Sequence, residues 1–542
     1  MRKPKPRYLQ LLLKEEIIEG RPDYTLFSRR EKTALEDVLA AIEKAARNRK
    51  IVAMELTLDD LVIGWGRLSA IRRSLVQFRR SGKPIYCFME SGGNAEYFLA
   101  SACDQILIPP ASSLHLVGLK AEVFFFRDVL DRLGIEPSLQ SVGEYKSAGE
   151  TFTRNEMSPQ SREQWNVLLD DLFEEFCRLL GEGRGLPREE IIAKINQGPY
   201  TAREAYEQRL VDGLGYEDEI KEKLEEKFGG ELRAIPASKF SVGEGFIRRL
   251  ITFRRPRVAL VHVIGNLSSG ESRRGADGRA ISGSDTIGGF LDHANKSRRI
   301  RAVVLRIDSP GGTGIASDVI WRKVSLLQKK KPVVASFGDV AASGAYYIAA
   351  AASSIVAEPT SITGSIGVMG GKFVAKKLIE RLGVHHTSLR RGDHAEYGSP
   401  LSSFSQGESD RLARQLEEFY RQDFLKKVAD GRRMSDDAAD QVGRGRIWSG
   451  VRARDNGLVD MTAGLREAIE EARRRAGIPE AQKTRLVHYH RRRRLRELIA
   501  PDITAGLRLF AAPHPGVELL AALEWIGRAA VLLWMPFRIR IR

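Results

Sequence analysis

Cysteine is scarce in this chain of 542 residues, and its distribution excludes two kinds of stabilised architecture. The three cysteines, Cys87, Cys103 and Cys177, are odd in number and show no C-x-x-C spacing. Neither a disulfide framework nor a cysteine-built zinc site is therefore expected. Nothing in the cysteine usage requires an oxidising compartment.

Both ends of the chain lack the long apolar runs that are typical of export signals and membrane-spanning helices. The N-terminal sequence MRKPKPRYLQLLLKEEIIEG has a basic start but an apolar run of only three leucines, so no secretory signal is expected. Near the other end, VELLAALEWIGRAAVLLWMPF is interrupted by Glu518, Glu524 and Arg528. This pattern predicts a segment that lies at a membrane interface rather than one that crosses the membrane.

Basic residues dominate the C-terminal tail. Residues 481–542 contain twelve Lys or Arg and four Asp or Glu. Their net charge of 12 − 4 = +8 is nearly half of the formal net charge of +17. Aromatic residues interleaved with cations, as in single-strand-binding surfaces, are missing, so nucleic acid is not expected as a partner. An anionic membrane surface suits the tail better. A helix docked on the protein's own body fits the same periodicity.

An internal repeat organises the rest of the chain. The length exceeds what one hydrophobic core usually holds, and a composition of 42% hydrophobic and 29% charged residues is globular. Segments separated by 248 or 249 residues match, such as IVAMEL (Ile51 to Leu56) with IRAVVL (Ile300 to Leu305). We predict an N-terminal extension at 1–24, a first repeat at 25–240, a second repeat at 255–478 and a basic tail at 479–542.

Short β-branched runs alternate with amphipathic helical patterns in each repeat, which predicts an α/β fold with mostly parallel strands. In the second repeat RVALVHVIG, RAVVLRI and PVVASFG are typical of buried strands. The first repeat has no segment that matches RVALVHVIG, so that strand is expected to be missing there. Long helical stretches from Ser158 to Gly183 and in QGESDRLARQLEEFYRQDFLKKVADG predict helical arms.

Three turns rich in small residues follow strands of the second repeat. The first contains Gly311 and Gly312, whose freedom lets backbone N–H groups approach a ligand. In the second, small residues flank Ser343, and the N–H of Gly344 at a helix start suits an oxyanion. The third, TGSIG, contains Ser365. Taken singly, such segments are more often plain turns and packing residues.

A serine nucleophile needs a base, and none of the nine histidines sits in a convincing motif. A lysine kept neutral by burial can serve instead, because removal from water lowers the pKa of an ammonium group. Lys146, in SVGEYKSAGETFTRNEMSP, follows the last strand of the first repeat and is flanked by Tyr145 and Ser147 rather than by cations. Sequence context alone does not decide this choice, since most lysines are solvated surface charges.

Four motifs together, LRIDSPGG, FGDVAASGAYYIAA, PTSITGSIGV and GEYKSAGETFTRNEMSP, resemble the signal peptide peptidase A (protease IV) family of the long, tandem-duplicated bacterial type. The resemblance runs from about residue 35 to about 475. It implies two tandem ClpP/crotonase-like repeats and a serine endopeptidase that cleaves apolar peptides such as cleaved signal peptides, with no metal or other cofactor. The implied roles are Ser343 as nucleophile, Lys146 as general base, Ser365 as the hydroxyl that orients the lysine, and Gly344 with the Gly311-Gly312 turn as the oxyanion hole.

The resemblance also implies a homotetramer associated with the bacterial cytoplasmic membrane. Members of the family usually carry an N-terminal anchor, whereas this chain has the basic tail. We therefore expect peripheral attachment through the tail, preferably on the cytoplasmic face, where anionic lipids attract arginines.

Each repeat is expected to retain only half of a dyad. At the position of Ser343 the first repeat has Asn94 or Ala95, and at the position of Lys146 the second has Ala395 or its neighbour.

Two rival functions remain: a crotonase-type acyl-CoA enzyme, which has no use for a Ser/Lys pair, and a catalytically inactive membrane scaffold.

Overall fold

The structure is a computed structural model that describes residues 6–20, 32–240, 255–275 and 279–490, and the backbone of 532–534. It divides into two compact units. The first contains the described residues up to Ala121 and those from Leu169 to 240, and the second contains Glu122–Leu168 and the described residues from Arg255 onward. The segment 122–168 belongs to the first repeat in sequence but to the second unit in the fold, so the predicted boundaries of 25–240 do not delimit one compact unit.

The first unit is built on a parallel sheet. Its strands, numbered along the whole chain, are β1 (Arg7–Ile18), β2 (Lys32–Ala34), β3 (Ile51–Val62), β4 (Ile85–Met89), β5 (Gln105–Ile108), β6 (Ser113–Leu114), β8 (Tyr200–Thr201), β9 (Gly213–Leu214) and β10 (Arg233–Pro236). The order is β10-β1-β3-β4-β5-β9, with β2 beside β1, while β6 and β8 form a separate antiparallel pair. Its helices are Leu35–Arg47, Trp65–Arg80, Asn94–Ala100, Arg188–Gln197, Ala202–Glu207 and Glu217–Phe228, followed by the 3₁₀ turn Ala237–Phe240.

Strand β1 corrects two predictions. It lies between β10 and β3, so residues 7–18 are a central strand rather than an extension, and the strand predicted to be missing is present. Polar residues hid it in the sequence because they interrupt the apolar run. In the sheet they are paired across to β3: the Gln10 amide donates to Glu55, and Lys14 forms an ion pair with Asp59 at 2.8 Å.

The second unit contains a larger parallel sheet of the same design. Its strands are β11 (Arg257–Ile264), β15 (Ile300–Ser309), β17 (Val333–Ala342), β18 (Ser354–Ala357), β19 (Ile362–Gly364), β21 (Ile447–Ser449), β22 (Met461–Thr462) and β23 (Arg485–Tyr489). Parallel pairing runs β23-β11-β15-β17-β18-β22, which matches the strand order of the first unit. The antiparallel pair β19-β21 extends β17 at its end.

Both faces of this sheet are covered, which explains the nearly continuous apolar runs that the sequence shows. Alternate residues point to opposite sides. Val261 and Leu305 face a core shared with the helices Ser284–Lys296 and Gly314–Gln328. Leu260 and Val304 face a smaller core shared with Leu465–Arg475.

A second, smaller sheet of the second unit contains Gly311 and Gly312 on one strand, and another of its strands begins three residues after Ser365. Its strands are β7 (Glu136–Val142), β12 (Asn266–Ser268), β13 (Arg273–Arg274), β14 (Ala280–Gly283), β16 (Gly311–Thr313), β20 (Val368–Val374) and β24 (Leu532–Trp534). Their order is β13-β14-β12-β16-β24-β20-β7.

Long helices are present where the sequence predicts arms. Pro159–Arg184 has 26 residues, and Gln406–Glu418 continues through the π-helical turn Phe419–Leu425 into Lys426–Arg432. Pro159–Arg184 begins in the second unit and continues into the first from Leu169. The second unit also contains Arg127–Leu133, the 3₁₀ turn Ser147–Gly149, Glu150–Thr153, Gly344–Ala349, Lys376–Arg381, Asp436–Val442 and Gly450–Asp455. Among the described residues, no helix has both the length and the apolar character needed to cross a membrane. Of the tail, residues 491–531 and 535–542 lie outside the described residues.

Candidate active site

Lys146 is placed by the turn that follows β7. Its backbone N–H donates to the Gly143 carbonyl at 2.9 Å, and the N–H of Tyr145 donates to the Arg444 carbonyl at 2.9 Å. Gly445 lies against the Lys146 backbone with φ +82°, and a Cβ there would overlap the Lys146 N and Cα atoms. Only glycine therefore suits position 445.

A buried glutamine fixes the same turn from a helix. The Gln164 side chain, 2% exposed, donates to the Tyr145 carbonyl at 3.0 Å and to Ser147 Oγ at 3.1 Å. Its oxygen accepts from the N–H of Ile447 at 3.2 Å. One amide thus holds the residues on either side of Lys146 and ties them to β21.

Ser343 lies between the end of β17 and the start of the helix Gly344–Ala349. It is the N-cap residue of that helix, with φ 55° and ψ −117°. Because a non-glycine residue rarely adopts positive φ, this backbone stores strain, as nucleophiles at sharp strand-to-helix turns do. The Ser343 N–H donates to the Gly364 carbonyl at 2.8 Å, which holds the turn against the end of β19.

Ser365 directly follows β19 and also has positive φ, at 51°. Its N–H donates to the Arg446 carbonyl at 2.5 Å. The N–H of Gly445 in turn donates to the Ile366 carbonyl at 2.7 Å. Residues 444–446 therefore contact both the lysine turn and the Ser365 turn, and they hold the two at a fixed separation.

The three side chains meet in the interior of the second unit. Lys146 Nζ lies 2.8 Å from Ser343 Oγ, 3.0 Å from Ser365 Oγ and 3.0 Å from the Ser365 carbonyl oxygen. Lys146 is 4% exposed, Ser365 3% and Ser343 0%. A lysine from the first repeat and two serines from the second thus form one buried cluster.

Burial lowers the pKa of Lys146 to about 7. The charged amine is disfavoured because leaving water removes its hydration. A neutral amine has two N–H donors and one lone pair. The two oxygens of Ser365 can accept both N–H groups, which leaves the lone pair directed at the Ser343 hydroxyl. This arrangement can remove a proton from Ser343 at neutral pH.

Backbone N–H groups lie near the serine. Gly344 begins the helix after Ser343, and that helix contacts β16, which contains Gly311 and Gly312. Gly312 packs on the backbone of Leu267 so closely that any side chain would overlap the Leu267 carbonyl oxygen. The Gly311 N–H donates to Ser309 Oγ at 3.1 Å, so this donor is engaged within its own turn.

Comparison with known proteins shows the family. Residues 77–230 and 325–479 each match peptidase family S49. The chain belongs to this family. It is 35% identical over 469 residues to the chloroplastic serine protease SPPA of Arabidopsis thaliana, covering 86% of this chain and 68% of that protein. It is also 31% identical over 456 residues to Protease 4 of Haemophilus influenzae, covering 80% of this chain and 72% of that protein.

Among solved structures, ClpP1 from Listeria monocytogenes is 14% identical, with a TM-score of 0.24, covering 39% of this chain and 94% of that chain. One S49 match falls in each predicted repeat, the second ending one residue beyond the predicted boundary, which confirms the duplicated α/β organisation. This S49 chain is a serine-type peptidase that acts on peptides.

Sequence reasoning missed the supports of the site in this S49 peptidase. Gln164 lies in a helical arm with no local motif, and Gly445 lies in a loop between two short elements. Both act through partners that are distant in sequence, and no spacing rule indicates them.

Proposed function

We propose that this S49 peptidase is an endopeptidase whose Ser343 and Lys146 form a Ser/Lys dyad. The observation that carries the proposal is the 2.8 Å separation of Lys146 Nζ from Ser343 Oγ, at a lysine whose pKa is lowered to about 7 by burial. A base with a pKa near the working pH is both deprotonated and able to accept a proton. Ser365 orients the amine through its two oxygens.

The chemistry is acyl transfer in two steps. Neutral Lys146 takes the proton of Ser343 while Oγ attacks the peptide carbonyl, and Lys146 then gives that proton to the leaving amine. In the second step Lys146 takes a proton from water, the resulting hydroxide attacks the acyl ester, and the proton returns to Ser343. The N–H groups of Gly344 and of the Gly311-Gly312 turn stabilise the tetrahedral oxyanion, with Gly312 as the donor from that turn because Gly311 is engaged.

The substrate class and location rest on the family resemblance and on the sequence of the tail. We expect apolar peptides such as cleaved signal peptides as substrates and a homo-oligomer, tetrameric by resemblance. We also expect peripheral attachment to the bacterial cytoplasmic membrane through those parts of the tail at 479–542 that lie outside β23 and β24. Anionic lipid on the cytoplasmic face would attract its arginines.

Covalent labelling tests the nucleophile directly. A serine-directed phosphonate carrying a reporter should modify the wild-type chain at Ser343, as found by peptide mass spectrometry, and leave Ser343→Ala unlabelled. Ser336→Ala is the matched control because Ser336 is buried on β17, the strand that precedes Ser343, where it accepts a hydrogen bond from Arg306. Labelling at another serine, or undiminished labelling of Ser343→Ala, would contradict the proposal.

Two substrate libraries separate the peptidase from its rivals. An apolar peptide library should be cleaved faster than a charged library of the same length, and both activities should disappear in Ser343→Ala and in Lys146→Ala. Tight binding of acyl-CoA without labelling of Ser343 would instead support the acyl-CoA enzyme. Equal absence of activity in the wild type would support the scaffold.

A further inference from the structure

Strand β24 lies in the middle of the small sheet of the second unit. It pairs antiparallel with β16 on one side and antiparallel with β20 on the other. The register places Gly311 opposite Trp534, Gly312 opposite Leu533, Thr313 opposite Leu532, and Met369 opposite Leu532. Since β24 begins more than forty residues after β23, the C-terminal tail supplies a central strand to this sheet.

Removing β24 would leave a slot one strand wide. Neighbouring strands lie about 4.8 Å apart, so β16 and β20 would face each other across about 10 Å. Both edges would then present unpaired N–H and C=O groups. Extended peptides bind such edges through their backbone, largely independently of sequence.

Both strands that flank this slot contain or follow residues of the candidate active site. One wall, β16, contains Gly311 and Gly312, and the other, β20, begins three residues after Ser365. The next strand, β7, pairs with β20 and leads into the turn of Lys146. A strand in this slot therefore lies across the proposed oxyanion donors, where the backbone of a peptide substrate would have to lie.

We propose that β24 is an internal occupant of the substrate slot, and that the C-terminal segment of the chain competes with peptide substrates for it. This inference rests on the proposed function. The residues around β24 read VLLWM, an apolar sequence of the same chemical class as the proposed substrates. The enzyme is therefore restrained by its own tail, and substrate cleavage requires β24 to leave.

A disulfide cross-link tests the contact without relying on activity. Antiparallel partners have Cα atoms about 4.5–5.5 Å apart, within the range of a disulfide. Thr313→Cys combined with Leu532→Cys should form an intramolecular disulfide on mild oxidation, detected by mass spectrometry. Ile315→Cys with Leu532→Cys is the control, since Ile315 is 72% exposed and is not a register partner of β24. Equal cross-linking of the two pairs, or none in the first, would overturn the placement.

Kinetics tests the competition. Proline is not tolerated inside a central strand because it lacks the N–H, so Leu533→Pro should release β24 in the full-length chain. We expect KM for an apolar peptide to fall about tenfold with kcat unchanged, as for a site that is about nine-tenths self-occupied. Leu520→Pro makes the same substitution in the tail outside β24 and should leave KM unchanged. An unaltered KM in Leu533→Pro would overturn the inference.

Binding separates this inference from the dyad. A fluorescent apolar peptide should bind more tightly to Ser343→Ala/Leu533→Pro than to Ser343→Ala, a difference that requires no chemistry. If the double variant binds more tightly but the wild type has no peptidase activity, the proposed function is contradicted and the competition by β24 is supported. If the two variants bind equally and the wild type is active, the competition by β24 is contradicted and the Ser/Lys dyad is supported.

Discussion

The two repeats build the same strand-to-helix turn and fill it differently. In each unit a tyrosine of the short helix anchors the turn: the Tyr97 hydroxyl donates to the Leu210 carbonyl at 2.9 Å, and the Tyr346 hydroxyl donates to the Leu458 carbonyl at 2.7 Å. Counting back three residues from each tyrosine makes Asn94 the counterpart of Ser343.

The polar partners of these two counterparts differ in kind. The Asn94 side chain donates to the Gly118 carbonyl at 2.8 Å and accepts from the Val117 N–H at 3.3 Å, so it is tied to the backbone of its own unit. Ser343 Oγ instead contacts an ionisable amine. A buried polar residue held by backbone stabilises a fold, whereas one held by a titratable side chain can transfer a proton.

The neighbouring turn differs in the same sense. From the match of Leu56 with Leu305, Val62 and Ile63 are the counterparts of Gly311 and Gly312. β-Branched side chains stand there in place of glycines, and they restrict a backbone that glycine leaves free. The first unit thus keeps the architecture without the requirements of an acyl-transfer site.

The largest expected effect separates Ser343 from Asn94. Ser343→Ala and Lys146→Ala should each lower kcat/KM by about 10⁴-fold, since either change removes the nucleophile or its base. Asn94→Ala should leave kcat/KM within a factor of two and lower only the stability of the first unit. Steady-state hydrolysis of an apolar peptide measures all three, and a comparable loss of activity in Asn94→Ala would break the comparison.

Stability should respond in opposite directions to the loss of a buried lysine in each unit. Lys146→Met should raise the free energy of unfolding by about 3 kcal/mol at pH 7, because it removes an amine that burial disfavours in its charged form. From pH 7 to about 10.4 the unfolded lysine holds a proton that the folded one lacks. The free energy of unfolding of the wild type therefore rises with pH over that window. The difference in stability between Lys146→Met and the wild type becomes smaller.

Lys194 in the first unit provides the matched control for that titration. Its amine donates to the Gln208 carbonyl at 2.9 Å and lies 3.3 Å from a Glu190 carboxylate. Lys194→Met should lower stability, because it leaves those acceptors without their donor. Urea unfolding at several pH values measures both variants, and a stabilising Lys194→Met or a destabilising Lys146→Met at pH 7 would contradict the contrast.

Ser365→Ala should lower kcat about 30-fold and leave KM nearly unchanged. One of the two oxygens that orient the amine is lost, so fewer molecules direct the lone pair at Ser343. Ser113→Ala removes a hydroxyl on β6 of the first unit, 2.9 Å from His115 Nε2, and should have no effect. A change confined to KM in Ser365→Ala would place this serine in substrate binding instead.

The smallest expected effect concerns Gln164 as a positioning residue. Gln164→Ala should lower kcat about tenfold, because the turn of Lys146 loosens. Water then reaches the amine, its pKa rises from about 7, and the acid limb of the pH–kcat/KM profile moves to higher pH. Gln406→Ala, on an exposed glutamine that binds Asp410, is the control. A lowered kcat with an unmoved acid limb would show that Gln164 has only a structural role.

Local patterns predicted the parts of this molecule whose signals lie within a few residues. The turns at Gly311 and Ser343 each follow a strand whose apolar run is visible in the sequence. Ser365 instead follows the short strand Ile362–Gly364, which has no such run. Local context does not decide the role of Lys146 as the base, which the family resemblance implies. Its burial depends on residues 444–446, which lie about 300 positions away.

Elements with distant partners escaped prediction for the same reason. Gln10 and Lys14 interrupt the apolar run of β1, and their place in a strand is explained only by their partners on β3. Strand β24 is part of a segment whose apolar character suggested a membrane interface. Its pairing with β16 depends on a free sheet edge that no periodicity in the tail reveals.

The position of β1 has a consequence for how the chain is made and handled. Residues 7–18 lie more than two hundred positions before Arg233–Pro236 in the chain, yet β10, formed by Arg233–Pro236, is one of the strands that pair with β1. The first sheet therefore cannot be completed until β1 and β10, which are far apart in sequence, have come together. A truncation that removes residues 7–18 as dispensable would take out an interior strand and expose two edges prone to aggregation.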